Sequence, residues 1–95
     1  MYFPSQYKNA LRLKKKNSTI RIRDEVGKYR VGKTYSVKSY AGSDWGIKIL
    51  IINIIPTSLK GLPKFGVPKR SVEAIHKFKK ISVNEIVELI RFQVL

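Results

Sequence analysis

The residues best suited to chemistry crowd into one stretch. Between Lys8 and Lys33 there are ten Lys or Arg side chains against two acidic ones, a local excess of eight positive charges. Lys14, Lys15, Lys16, Arg21 and Arg23 surround Thr19 in this stretch. Clustered ammonium and guanidinium groups attract phosphates and release the counterions condensed on a nucleic acid, which makes binding strongly salt-dependent. A second group, Lys64, Phe65, Lys69 and Arg70, mixes cations with a ring in a Pro- and Gly-containing segment. Such mixtures suit contact with an unpaired base. Trp45, beside Gly46 at a strand start, is a third candidate contact. Tyr29, Tyr35 and Tyr40 could also stack bases, although strand aromatics more often belong to a core. Structural roles compete with these. The lysine run could be a solvated helix end, and Arg21 could pair with Asp24 or Glu25. Arg23, next to Asp24, is the better structural partner of the two arginines. Lys77, Lys79 and Lys80 read as a solubilising helix end.

The whole chain carries 20 Lys and Arg against 6 Asp and Glu in 95 residues, a formal charge of +14. That excess repels itself in a folded chain and points to an anionic partner, nucleic acid first. At 43% hydrophobic residues, the chain supports one modest core and a single domain over residues 1–95. There is no cysteine, so disulfides, thiolate metal ligands and thiol nucleophiles are excluded. No metal-ligand, phosphate-loop or catalytic-triad pattern occurs, and neither a metal nor an organic cofactor is implied. The opening MYFPSQYKNALRLKKK carries its charge after its mildly apolar part, the reverse of a secretion signal. Ile49–Ile52, followed by Asn53, Ile54 and Ile55, is too short an apolar run to span a bilayer. A soluble, cytoplasmic protein without a membrane partner is expected.

Local patterns predict the elements that hold these groups. Pro4 and Ser5 suit a first helical turn, and Tyr7, Ala10, Leu11 and Lys14 share one face, predicting a helix over about residues 4–14. Ile20 and Ile22 alternate with Thr19, Arg21 and Arg23, a strand with isoleucines inward and the Thr/Arg/Arg row outward. Asp24 to Lys28 reads as a turn, Tyr29 to Gly32 as a short extended piece, and Tyr35 to Tyr40 as a strand. Trp45 to Ile55 is a β-branched run, apolar in both phases, which predicts a strand covered on both faces and ended by Pro56. Thr57 to Lys69 reads as loop. Ser71 caps a second helix that buries Val72, Ile75 and Phe78. Ser82-Val83-Asn84-Glu85 has capping-box form and suggests one more helical turn. Ile90, Phe92 and Val94 alternate with Arg91 and Gln93 in a closing strand over Glu88 to Leu95. Phe3 and Phe92 are assigned to the core. Adjacent short strands without helical crossovers make an α+β fold, an antiparallel barrel-like sheet with helices at its rim.

These pieces, in this order, resemble the ASCH domain, a branch of the PUA-like superfamily. The resemblance runs through Tyr7–Leu13 into Lys16-x-x-Thr19-Ile20-Arg21, then Tyr29-Arg30-Val31-Gly32-Lys33 and the central strand Trp45–Ile55. It continues through Ser58–Leu62, Gly66–Ile75 and Ile90-Arg91-Phe92-Gln93-Val94, and so covers nearly the whole chain. It implies a PUA-like β-barrel, a cleft lined by the Lys16 region, Thr19 and Arg21, and an RNA-linked role. The chain departs from the pattern at Lys14, where the family has glycine two residues before its signature lysine. That loss suggests a different turn and an added phosphate-facing charge. Gly32-Lys33 stands where the family has Gly-Asp.

The resemblance also implies enzymatic alternatives. Some small relatives look like amidohydrolases of acetylated cytidine, built on the signature lysine and threonine (here Lys16 and Thr19) and a glutamate before the second helix. The glutamate position falls near Phe65, and no carboxylate occurs between Asp44 and Glu73. Threonine is a poor nucleophile without a base. The crowding of Lys14, Lys15 and Arg21 could lower the Lys16 pKa, and Glu73 is the only nearby replacement carboxylate. A ribonuclease would draw on His76, the sole histidine. A transcription-associated adaptor holding DNA or an acidic protein partner is a further alternative. The residues favour binding over catalysis. On this reading Lys14, Lys15, Arg23, Lys64, Lys69 and Arg70 contact phosphates, Lys16, Thr19 and Arg21 form the core site, and Trp45 and Phe65 stack on bases of RNA.

Overall fold

The β-branched run becomes the longest strand of a five-stranded sheet. A computed structural model describes all 95 residues. In chain order it contains β1 (Tyr2–Phe3), α1 (Lys8–Arg12), β2 (Ser18–Arg21), β3 (Thr34–Ser39), β4 (Asp44–Ser58), α2 (Lys69–Lys79) and β5 (Ile86–Val94). Short 3-10 helices occupy Ser5–Tyr7, Arg23–Glu25 and Leu59–Phe65. The sheet order is β1-β3-β4-β5-β2, antiparallel except for the parallel pairing of β1 with β3. The sheet curls into an open half-barrel, an α+β fold with β1 and β2 as its edges. No helix is long and apolar enough to cross a membrane.

β5 explains how a chain this small buries its sheet. Ile90, Phe92 and Val94 point to one side and join Phe3, Leu11, Val37, Ile47, Ile49 and Ile51 in the larger apolar cluster. Val87 and Leu89 point to the other and join Leu59, Leu62, Val72 and Ile81 beneath α2. Phe3 meets Phe92 edge to face, ring centroids 6.0 Å apart, so both rings are core. β4 is covered on one face only as far as Ile51, with Lys48 exposed on the other. Its register then shifts between Ile51 and Asn53, which leaves Ile52 exposed. A bulge of this kind adds a residue and bends the strand.

Other expectations are corrected as well. The helix over residues 4–14 divides into a 3-10 turn and the short α1, and β1 precedes it. Phe3 is drawn into the core by pairing with Ser39, a partner remote in sequence. Pro56 does not end β4, which continues to Ser58 with Pro56 opposite Glu88. β3 accompanies β4 only as far as Leu50. Beyond it β4 has an open side, where a residue without an N–H is tolerated. The expected loop after Pro56 holds the end of β4 and a 3-10 helix that buries Leu59 and Leu62. Tyr29 to Gly32 forms no strand.

α2 starts at Lys69 behind Pro68, and no side chain caps it, Ser71 included. Phe78 is 76% exposed rather than buried. Repeated three-residue steps drift by about 60° each around an α-helix, so the third residue leaves the face set by Val72. Ser82 to Glu85 is a turn and not a helix; the Ser82 Oγ accepts the Asn84 N–H at 3.1 Å.

Candidate nucleic-acid interface

The half-barrel does not close, and its two edges face each other across a cleft of about 570 Å³. Phe3, Pro4 and Tyr7 line one side and Ser18 to Arg21 of β2 the other. Phe65 to Pro68, one face of α2, and Leu89 and Arg91 of β5 complete it. The lining contains the cations Lys16, Arg21, Lys79 and Arg91 and no carboxylate.

Arg21 is the central group. Thr19 lies opposite Ile90 and Arg21 opposite Glu88, so both share the β5 face that carries the larger cluster. Arg21 projects against Phe3, its Cζ 4.8 Å from the ring centroid, and is only 7% exposed. The expected outward row of Thr19, Arg21 and Arg23 is therefore corrected. Both faces of β2 are covered, with Ile20 packed on the α2 side and Arg21 against the N-terminal segment. The Arg21 guanidinium makes no hydrogen bond within the protein, and its Nε is sealed from solvent without a partner. It pairs with neither Asp24 nor Glu25. The Glu25 carboxylate pairs with Lys28 at 3.6 Å and accepts the Tyr29 hydroxyl at 2.7 Å. The Glu88 carboxylate accepts the Gly27 N–H at 2.9 Å. A buried charge left without a partner is strongly unfavourable.

Lys16 arrives through the turn that ends α1. The Lys14 N–H donates to the Leu11 carbonyl at 3.0 Å and the Lys15 N–H to the Ala10 carbonyl at 2.8 Å, while Lys14 takes φ of 58°. This is a Schellman ending with a left-handed residue where glycine is usual. Lys14 adopts the strained left-handed conformation itself. The turn lays the Lys16 Nζ 4.5 Å from the Tyr7 ring centroid and 5.9 Å from that of Phe3. Burial, and then repulsion from Arg21, hold the Lys16 pKa below its ordinary 10.5.

Of the residues expected at the site, the cleft gathers Lys16, Thr19, Arg21 and Phe65. Phe65 is 38% exposed, and its carbonyl accepts a hydrogen bond from Arg91 at 3.1 Å. Lys14, Lys15, Lys64, Lys69 and Arg70 are exposed and outside the lining. Trp45 is half-buried away from the cleft, with the Lys8 Nζ 5.7 Å from its ring centroid. It packs on the larger cluster because the start of β4 lies beside α1. Arg23 does not pair with Asp24; it donates to the Lys79 and Lys80 carbonyls at the end of α2. Glu73 is exposed on α2 and outside the cleft. His76 is also outside it, with its Nδ1 2.6 Å from the Ile81 carbonyl oxygen.

Tyr7 and Arg91 line the cleft without having been singled out, and Tyr40 and Lys79, for which core and solubilising roles were favoured, line it as well. Tyr40 is 69% exposed and stacked on Tyr2, with centroids 6.2 Å apart and planes 16° from parallel. Its position just before the Ala41-Gly42 turn was the available signal, because a ring at a strand end need not be covered.

The lining thus offers cations, the hydroxyls of Ser18, Thr19 and Ser71, and aromatic rings, but no carboxylate or imidazole to move a proton. The chain contains no group of three or more His, Cys, Asp or Glu side chains placed to hold a metal ion. No family model, curated protein or solved structure matches the chain.

Proposed function

We propose that the protein binds RNA through the cleft between β1 and β2, centred on Lys16, Thr19 and Arg21. Arg21 carries this reading: a buried cation without a protein partner, in a lining that has no carboxylate. Buried charges need a counter-charge, and the ligand supplies it. Tyr7, Tyr40 and Phe65 in the same lining favour a nucleotide over a bare anion or an acidic peptide. The half-barrel is then a PUA-like barrel of the ASCH type, for which the same three residues were expected to line a cleft. Lys14, Lys15, Lys64, Lys69 and Arg70 act as outer phosphate contacts, while Arg23 and Trp45 serve the fold.

The lowered Lys16 pKa is the one observation favouring a hydrolase of modified nucleosides. Against it, no carboxylate or imidazole lines the cleft.

The test is a salt-titrated binding assay against single-stranded RNA, duplex RNA and duplex DNA. Single-stranded RNA binds tightest, with a log–log salt slope of roughly −0.7 per phosphate contact, and Lys16→Ala with Arg21→Ala removes the preference. Equal binding of all three nucleic acids by the wild type and this variant defeats the reading. Turnover of acetylated cytidine that disappears in Lys16→Ala would replace binding by hydrolysis.

A further inference from the structure

We propose that the cleft reads the end of a single-stranded ribonucleotide chain, with Arg21 and Lys16 taking a terminal phosphate monoester and Tyr40 stacking on the terminal base. This rests on the RNA reading above and narrows it to one ligand chemistry.

Arg21 and Lys16 lie against the same ring, at 4.8 and 5.9 Å from the Phe3 centroid, so one anionic group beside that ring reaches both. The nearest carboxylates are engaged, Glu25 by Lys28 and Tyr29, and Glu88 by the Gly27 N–H. Neither cation forms an ion pair or hydrogen bond with a carboxylate, and two such cations match a monoester, which carries a charge of about −1.5 to −2 at neutral pH. An internal diester, with a single charge, leaves one of the two cations without a contacting anion in a desolvated place.

Arg21 is almost wholly enclosed by the two edges of the sheet. A diester arriving there must lead chain out on both sides through the seam between β1 and β2, whereas a monoester has one tether. Tyr40 lines the cleft with most of its surface exposed, and Tyr2 backs it. A supported, uncovered ring suits stacking, which is tolerant of base identity.

The experiment uses the full chain and one short oligoribonucleotide made with a 5′-phosphate, with a 3′-phosphate, or with hydroxyls at both ends. Binding is read by fluorescence anisotropy, and adenosine monophosphate serves as competitor to separate a strand end from a free nucleotide. One phosphorylated form should bind roughly tenfold or more tighter than the hydroxyl form, the scale of a charge-assisted contact. Lys16→Ala and Arg21→Met should each erase that ratio, and Tyr40→Ala should weaken every form while preserving it. Arg21→Met removes an unpartnered buried charge, so its melting temperature should not fall; if it does not fold, Lys16→Ala decides. Equal binding of phosphorylated and hydroxyl forms, both weakened by Lys16→Ala, overturns the end-recognition proposal and leaves RNA binding standing. Binding of the mononucleotide alone, dependent on Lys16, keeps the monoester site and defeats the RNA reading. Failure of every oligonucleotide and of the mononucleotide removes both.

Discussion

Lys14 and Arg21 are two cations held in unfavourable places for different reasons. Lys14 is exposed and its strain is conformational, a left-handed backbone at φ of 58°. That conformation costs an L-residue roughly 1–2 kcal/mol, part of which glycine regains against its greater freedom when unfolded. Lys14→Gly should therefore raise stability by about 1 kcal/mol, read as a higher denaturant midpoint at unchanged slope. A lower midpoint would show that the lysine side chain supports the turn. The strain of Arg21 is electrostatic, and its inward placement could not be read from Thr19-Ile20-Arg21-Ile22. Alternation identifies the two faces of a strand but not which of them a remote segment such as Phe3 will cover. Glu25 and Tyr29 show the neighbouring charges at work. Burial opposes ionisation of Glu25, yet the Tyr29 hydroxyl, Lys28 and Arg21 outweigh it and hold the carboxyl below its ordinary 4.5. The stability this contributes is present above pH 4.5 and is lost as pH falls through the lower folded value. Tyr29 is pushed above its ordinary 10.0, by burial first and then by Glu25. Its contribution is present below pH 10.0 and is lost as pH rises beyond it. Tyr29→Phe should flatten the alkaline fall and make the acid fall shallower in melting temperatures measured across pH. A variant with the wild-type profile at both ends would remove the pair from the account.

Two elements end in ways that local pattern does not announce. The last carbonyls of α2 are closed by Arg23, which reaches them from the turn after β2. A cation on these carbonyls satisfies orphaned acceptors and opposes the negative end of the helix dipole. Arg23→Ala should cost about 1–2 kcal/mol and accelerate amide exchange in the last turn of α2; unchanged exchange there would make the contact incidental. Pro56 lies in the part of β4 that has a partner on one side only, close to the exposed Ile52. Proline on an open edge discourages pairing with a second chain. Pro56→Val should make the protein associate with rising concentration, and light scattering that stays monodisperse would count against that protective role. β3, β4 and β5 could be placed from the sequence because β-branched alternation is a local signal. β1, the bulge at Ile52 and the continuation of β4 past Pro56 depend on partners distant in the chain, and these were missed. The site divides in the same way. Lys16, Thr19, Arg21, Phe65 and Tyr40 stood out by type, whereas Tyr7 and Arg91 are brought to the cleft only by the way the sheet curls.

At the scale of the whole molecule, 20 basic side chains are answered by one ion pair, Lys28 with Glu25. The protein therefore holds most of its charge unneutralised, and a polyanion relieves a repulsion that the fold alone does not. The seam gives this relief a location. β1 has two residues and β2 has four, and they form the edges on either side of the cleft. Short edges with few ladder bonds open at low free energy. A phosphate seated at Arg21 beside Phe3 would join the two ends of one sheet, so occupancy and rigidity of the seam are thermodynamically linked. Amide exchange at Phe3 and across Ser18–Arg21 should then slow on addition of adenosine monophosphate, and the melting temperature should climb with the logarithm of ligand concentration. Protection that grew evenly over the sheet, or not at all, would separate ligand from seam. The free protein is, in this sense, a barrel one stave short, and its ligand acts as a removable clasp.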